Sequence, residues 1–250
     1  MKFTWVIEPN DLVEVKTLLD RYKDDYFVTK RRELNLQDCK SKVRKADFWK
    51  QMVACHLTSV QRSGPTNPVA RFLRTSPFQL AYKTCLKQSD VEAFMNAVLT
   101  HFGGIRRTNI IPREMAGNLR SLESGMWQHT FSALDKLRSG PANIATEREV
   151  ANFIRVNFKG FGPKQSRNLL QSLGLTRYEI PIDSRITDWL TKLGFPFPLP
   201  SQALGDLAYY LFVMDRIQEL CKACDVVPCI LDAAIFTSVD KGAWNKSNFV

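Results

Sequence analysis

Residues 157–170 read NFKGFGPKQSRNLL: two glycines and a proline within four positions, with Lys159 and Lys164 on either side. Upstream, Thr146-Glu147-Arg148-Glu149 has the S/T-x-x-E form of a capping box and predicts a helix start. Val150, Phe153, Ile154 and Phe158 give that helix a buried face. Gly160 and Gly162 end it, and Pro163 suits the first position of a second helix, where a missing N–H is harmless. Leu169, Leu170 and Leu173 form the second apolar side, and Gly174 stops it. The prediction is helix, four-residue hairpin, helix. Glycines without a Cβ let a phosphate come close to the backbone N–H groups, and the second helix adds the positive end of its dipole. Such a contact grips a nucleic-acid backbone without reading sequence. The plain alternative is an αα-hairpin whose glycines ease the turn; spacing alone leaves both open.

The 250 residues carry a net charge of +10, an excess that suits a polyanionic partner, nucleic acid first. Lys and Arg crowd residues 28–50, VTKRRELNLQDCKSKVRKADFWK, either as a solvated face or as part of that partner's footprint. Apolar residues make up 44% of the chain, enough for a substantial core. The run Phe3–Ile7 is too short for a signal peptide, and no window approaches the ~20 apolar residues of a membrane span. The expectation is a protein of the cytoplasm, at the nucleoid, or of a nucleus, with its six cysteines reduced.

Most of the chain has the helical period. Phe48, Met52 and Cys55 share one face, as do Val91, Phe94, Met95, Val98 and Phe102 ahead of Gly103-Gly104. Phe131, Leu134 and Leu137 repeat the pattern, and so do Leu204, Leu207, Leu211, Val213 and Met214. Alternation with period two is confined to residues 3–7 and 178–182, two candidate short strands. The fold class expected is nearly all-α.

"GFGPK" followed by "IPIDSRITDWL" resembles the helix-hairpin-helix, Gly/Pro-rich loop and aspartate signature of the base-excision DNA glycosylases. Lys164 and Asp183 stand nineteen residues apart, as in the 8-oxoguanine DNA glycosylase branch. The resemblance is strongest over 146–190 and extends to "HLTSVQRSGPTNPVARFL" (56–73) and "PCILDAAIFTSVDKGAW" (228–244). It implies two helical lobes with a DNA-binding cleft between them. One lobe is 48–175 with its hairpin at 147–173; the other is 176–250, joined by residues 1–47. The partner implied is double-stranded DNA containing oxidised guanine, bound by a monomer with no cofactor.

The family's reaction joins an amine to C1′, expels the damaged base and leaves a Schiff base that can eliminate the 3′ phosphate. The amine must be neutral, yet a lysine's ordinary pKa is about 10.4. Lys164 falls in the first turn of the second helix, where N–H dipoles disfavour an ammonium. Lys159 and Arg167 are candidates for like-charge repulsion, and burial by a flipped nucleotide adds desolvation. Asp183 precedes the helical run Arg185–Leu193 and suits an N-cap, which would keep it ionised to stabilise positive charge on the sugar. A solvent-facing lysine and a purely structural cap are the plain alternatives.

Flipping the nucleotide leaves a hole to fill and a base to hold. Gln61 and Arg62 lie in the segment that resembles the intercalating loop. Phe236 stands where the 8-oxoguanine branch stacks an aromatic on the base, and Asp232, one turn before it, where a polar residue reads the Watson–Crick edge. Asn168 replaces the cysteine that human-type enzymes carry four residues beyond the lysine, and completes the base-recognition set. Gly160, Phe161, Gly162 and Lys159 are the implied DNA-backbone contacts. Residues 1–50 cannot supply the N-terminal β domain of the human-type enzymes, so the chain looks like the compact, archaeal type. Cys221, Cys224 and Cys229 resemble part of the iron–sulfur loop of endonuclease III, but a fourth cysteine is missing and such clusters need four thiolates; no metal is expected. The function expected is 8-oxoguanine DNA glycosylase and AP lyase. The alternatives are an endonuclease III-like enzyme for oxidised pyrimidines and a non-catalytic helix-hairpin-helix module.

Overall fold

The computed structural model describes residues 5–38, 40–59, 61, 64–240 and 244–246. Among them every regular element is a helix. The chain runs α1 (Pro9–Tyr22), α2 (Tyr26–Asn35), α3 (Lys45–Leu57), α4 (Pro68–Leu73), α5 (Tyr82–Leu86), α6 (Val91–Phe102), α7 (Ile111–Ser121), α8 (Trp127–Lys136), α9 (Ile144–Asn157), α10 (Pro163–Ser172), α11 (Ser184–Lys192), α12 (Leu207–Ala223) and α13 (Pro228–Val239).

Two apolar clusters form the interior. One draws on residues from Val43 to Leu175, centred on Phe48, Trp49 and Met52 of α3 and the inner faces of α9 and α10. The other unites Trp5, Val15 and Val28 with residues from Ile180 to Ile235. Helices α1 and α2 both pack on α13, which brings the two ends of the chain together. Leu169 and Leu170 are fully buried, and each contributes about 1.5–3 kcal/mol by leaving water.

Among the described residues neither candidate stretch forms a strand. Residues 5–7 are irregular, and residues 3 and 4 lie outside the described residues. Residues 178–182 are irregular and pair with no strand among the described residues. Side chains take their polar groups instead. Glu147 accepts the N–H groups of Arg177, Tyr178 and Glu179 at 2.8–2.9 Å. The Tyr210 hydroxyl accepts from Ile182 N–H at 2.8 Å and donates to the Ile180 carbonyl at 2.9 Å. The period-two alternation there reflects Ile180 and Ile182 entering the second core.

The helix start predicted at Thr146 moves upstream. Asn143 is the N-cap, its Oδ1 accepting from Thr146 N–H at 2.8 Å. Asparagine caps as well as any residue, and its use lets Glu147 turn inward to the amides just described. Glu149 goes to a surface pair with Lys136. A charged strut crosses between the cores nearby. Buried Arg167 donates to Glu179 at 2.7 Å, and Arg148 bonds both Glu179 and Asp215. Removing one member would leave a buried charge unmatched, a loss of about 3–5 kcal/mol.

Candidate active site

The hairpin between α9 and α10 is fixed from behind. Asn118 of α7 clasps Lys159 at both ends of its backbone, accepting from its N–H at 2.8 Å and donating to its carbonyl at 3.0 Å. Phe161 turns inward, edge-on to His56 with ring centres 5.1 Å apart. Only the backbone of Phe161 is therefore available to a ligand. Gly160 has φ +79°, and a Cβ there would lie 2.2 Å from His56 Cε1 and 2.6 Å from Glu114 Oε2. Gly162 differs. Its φ is −79°, which any residue adopts, and nothing stands within 4 Å of where its Cβ would point. Neither backbone strain nor internal packing requires glycine at 162; the side that a Cβ would fill is open.

Lys164 is the second residue of α10, on the turn that the hairpin presents. Its pKa is lowered chiefly by burial; Asp183 pulls it back up and Arg185 pushes it down. The expectation that Lys159 and Arg167 supply the repulsion is corrected here. Arg167 is spent on Glu179, the Lys159 side chain lies along Gly117, and the acting cation is Arg185. Lys164 makes no hydrogen bond or ion pair among the described residues.

Asp183 is the N-cap of α11, its Oδ1 accepting from Arg185 N–H at 2.9 Å and Ile186 N–H at 3.3 Å. Burial opposes its ionisation, but the Arg185 guanidinium, those caps and Lys164 outweigh it, leaving the pKa below the usual carboxylate value. Arg185 holds Oδ2 through both Nε, at 2.9 Å, and Nη2. Lys164 and Asp183 line one cavity.

Asp232 and Phe236 from α13 line the same cavity. Asp232 is buried and accepts from Gln171 Nε2 at 2.5 Å. Burial raises its pKa to about 6, against the pull of Arg31. Phe236 is covered on both sides. Phe27 stacks on it at 4.3 Å and 12°, and the Arg185 guanidinium lies 4.1 Å from the ring centre. Lys164, Asn168 and Gln171 share one face of α10, four and three residues apart. The Asn168 amide donates to Gln165 Oε1 at 3.2 Å and to Cys55 Sγ at 3.5 Å, so a thiol from α3 sits beside the position where human-type enzymes carry one on the helix. Burial pushes the Cys55 thiol up to about 12, keeping it neutral.

Gln61 also lines the cavity, but both ends of its amide are engaged: Nε2 donates to the Gly104 carbonyl at 2.6 Å and Oε1 accepts from Arg106 N–H at 3.0 Å. In this structure it braces the loop after α6. Arg62 lies outside the described residues. Cys221, Cys224 and Cys229 are buried in the second core. Sequence reasoning missed Arg185, Gln171, Phe27 and Arg31, all on the cavity. Arg185 had a local signal, two residues beyond the aspartate; the others had none.

Neither a scan against protein-family models nor a search of curated proteins gives a match. Solved structures do. The 8-oxoguanine DNA glycosylase of Methanocaldococcus jannaschii superposes with a TM-score of 0.64 at 15% identity, over 94% of this chain and 98% of that one. The Methanocaldococcus jannaschii 8-oxoguanine glycosylase/lyase in complex with a 15mer DNA containing 8-oxoguanine gives 0.68 at 15% identity, over 93% and 100%. The 8-oxoguanine DNA glycosylase of Thermotoga maritima gives 0.60 at 15% identity, over 94% and 98%. Over nearly its whole length, the chain has the fold of these 8-oxoguanine DNA glycosylases.

Proposed function

We propose that the chain is a DNA glycosylase and AP lyase that removes 8-oxoguanine from double-stranded DNA through a Schiff base on Lys164. One observation carries the reading. A partly buried lysine with a lowered pKa and no bonded anion among the described residues shares a cavity with a carboxylate whose pKa a helix cap and an arginine hold down. That is the arrangement an amine nucleophile needs.

In this reading the phosphate backbone rests on the open side of Gly162 and the free N–H groups that begin α10. The damaged nucleotide turns out of the duplex into the cavity. The base takes the face of Phe236 now covered by Arg185. The neutral Lys164 amine bonds to C1′ as the C1′–N9 bond breaks, and the electron pair leaves on the base, which takes up a proton. Positive charge that builds on the sugar faces Asp183. The amine then loses its proton as the C1′–O4′ bond opens, giving the imine. Loss of a C2′ proton expels the 3′ phosphate. The net positive charge of the chain favours the approach to DNA.

Duplexes carrying 8-oxoguanine or thymine glycol, incubated with the protein and then borohydride, test this. The expected result is a reduced covalent adduct with the 8-oxoguanine duplex that Lys164→Gln abolishes while DNA binding persists. An adduct with thymine glycol alone would mark an oxidised-pyrimidine enzyme, and no adduct with either a non-catalytic DNA-binding module.

A further inference from the structure

The cavity contains a second arginine that the chemistry above leaves idle. Arg31 of α2 lines it, on the far side of the chain from the hairpin signature. Its Nη1 donates to the Gln171 carbonyl at 3.0 Å and more weakly to Asn35 Oδ1 at 3.4 Å. Its guanidinium lies 5.4 Å from the centre of the Phe27 ring, the ring that backs Phe236. Asn35 in turn donates to the carbonyls of Gln171 and Thr176 at 3.0 and 2.8 Å, so the fork is anchored to backbone at the end of α10. The remaining edge of the fork is unused. Nε is buried with no partner, and Nη2 donates to nothing among the described residues. Leaving a charged donor dry and unpaired is destabilising, and this one is left so.

The other half of the arrangement is Asp232. Arg31 acts on it electrostatically, though no ion pair joins the two among the described residues. Gln171 holds both, Arg31 through its carbonyl and Asp232 through its side-chain amide. Oδ1 of Asp232 accepts no hydrogen bond among the described residues. One glutamine therefore links two residues of the cavity lining, one with a spare donor and the other with a spare acceptor among the described residues. The Watson–Crick edge of guanine presents the reverse, an O6 acceptor beside the N1–H and N2–H₂ donors. Adenine puts a donor at position 6 and an acceptor at N1, and would meet like against like at both points.

We propose that Arg31 is a specificity-determining residue that donates to O6 of the flipped base while Asp232 accepts from N1–H and N2–H₂, with Gln171 positioning the two. The assignment rests on the glycosylase reading and names how that site tells a guanine from other bases.

A cycle between protein and base tests it. Single-turnover excision is measured on duplexes carrying 8-oxoguanine or its 6-thio analogue, in which the poor acceptor sulfur replaces O6 and N1–H and N2–H₂ remain. Arg31→Leu should slow release of 8-oxoguanine about tenfold or more, yet cost little further on the 6-thio base, which the wild type already handles poorly. Arg31→Lys, which keeps charge and stem but not the fork, should fall between and guards against a folding defect in the leucine variant. Equal losses on both bases would overturn the assignment and make Arg31 a structural or phosphate-binding residue. A wild-type chain that releases neither base would overturn the glycosylase reading itself, and the assignment with it.

Discussion

The two walls of the cavity are built by opposite means. The α10 wall is one continuous stretch of chain, and its lysine is left without a bonded partner among the described residues. The facing wall combines α11 and α13 with α2 from the other end of the chain; Asp183 accepts from Arg185 and two backbone N–H groups, and Asp232 from Gln171. The same burial acts on both walls and pushes every charge toward neutrality. On the first wall burial outweighs the pull of Asp183 and the pKa of Lys164 falls; on the second, donors outweigh burial and keep the pKa of Asp183 low. A lysine with a lowered pKa and a carboxylate with a lowered pKa thus share one cavity, and the difference lies in the supply of partners rather than in burial.

Removing the charge of Asp183 should break that comparison most severely. Asp183→Asn keeps an N-cap of equal strength but deletes the anion, and single-turnover excision should fall about 10²–10³-fold, with melting lowered only by the loss of the ionised carboxylate's contribution. Asp183→Ala should lose as much activity and about 1 kcal/mol of stability besides. Excision that survives in the asparagine variant would show that the second wall contributes no electrostatic stabilisation. Acid titration adds a check. The folded pKa of Asp183 lies below its unfolded value, so its contribution is present above about pH 4 and lost as pH falls through the folded value. Asp183→Asn should flatten the decline of stability in that acid range.

The contrast between the walls also sets what the sequence revealed. The hairpin, α10, Lys164 and the cap at Asp183 were legible because each is a local matter: turn residues, a proline at a helix start, apolar residues at helical spacing. Asp232 and Phe236, one helical turn apart on α13, came from the family resemblance and not from their spacing, and both line the cavity. Their neighbours were not legible. Gln171 reaches Asp232 across 61 residues, and Arg31 reaches Gln171 across 140; within its own stretch Arg31 reads as one more surface charge. The helix start of α9 slipped for a related reason. Thr146 and Glu149 make a sound local cap, but Glu147 is needed 30 residues away at Arg177, and the tertiary contact decided the register.

The two hairpin glycines sharpen the comparison within the first wall. Gly160→Ala must accept φ +79° and drive a methyl group into His56 and Glu114, for an expected loss of about 2–4 kcal/mol in chemical denaturation. Gly162→Ala meets no atom of the protein, and its stability should stay within about 0.5 kcal/mol of the wild type. Its affinity for duplex DNA should nevertheless fall about three- to tenfold, because the methyl group takes the space of a phosphate oxygen. A Gly162→Ala protein that binds DNA as well as the wild type would place the phosphate grip elsewhere.

Arg185 is where the walls meet, since it pairs with Asp183, covers Phe236 and lowers the pKa of Lys164. Arg185→Gln should have the mildest effect on rate but a diagnostic effect on its pH dependence. Loss of the cation removes one of the influences that lower the amine's pKa, and Asp183, freed from its pairing, pulls it further up. Both changes act in the same direction, so the rising limb of borohydride trapping, which follows deprotonation of Lys164, should move to higher pH. Above that limb the variant should trap at least as fast as the wild type, because a base reaching Phe236 no longer has a guanidinium to displace. An arginine that served only the fold would instead lower the rate at every pH and leave the limb where it stands.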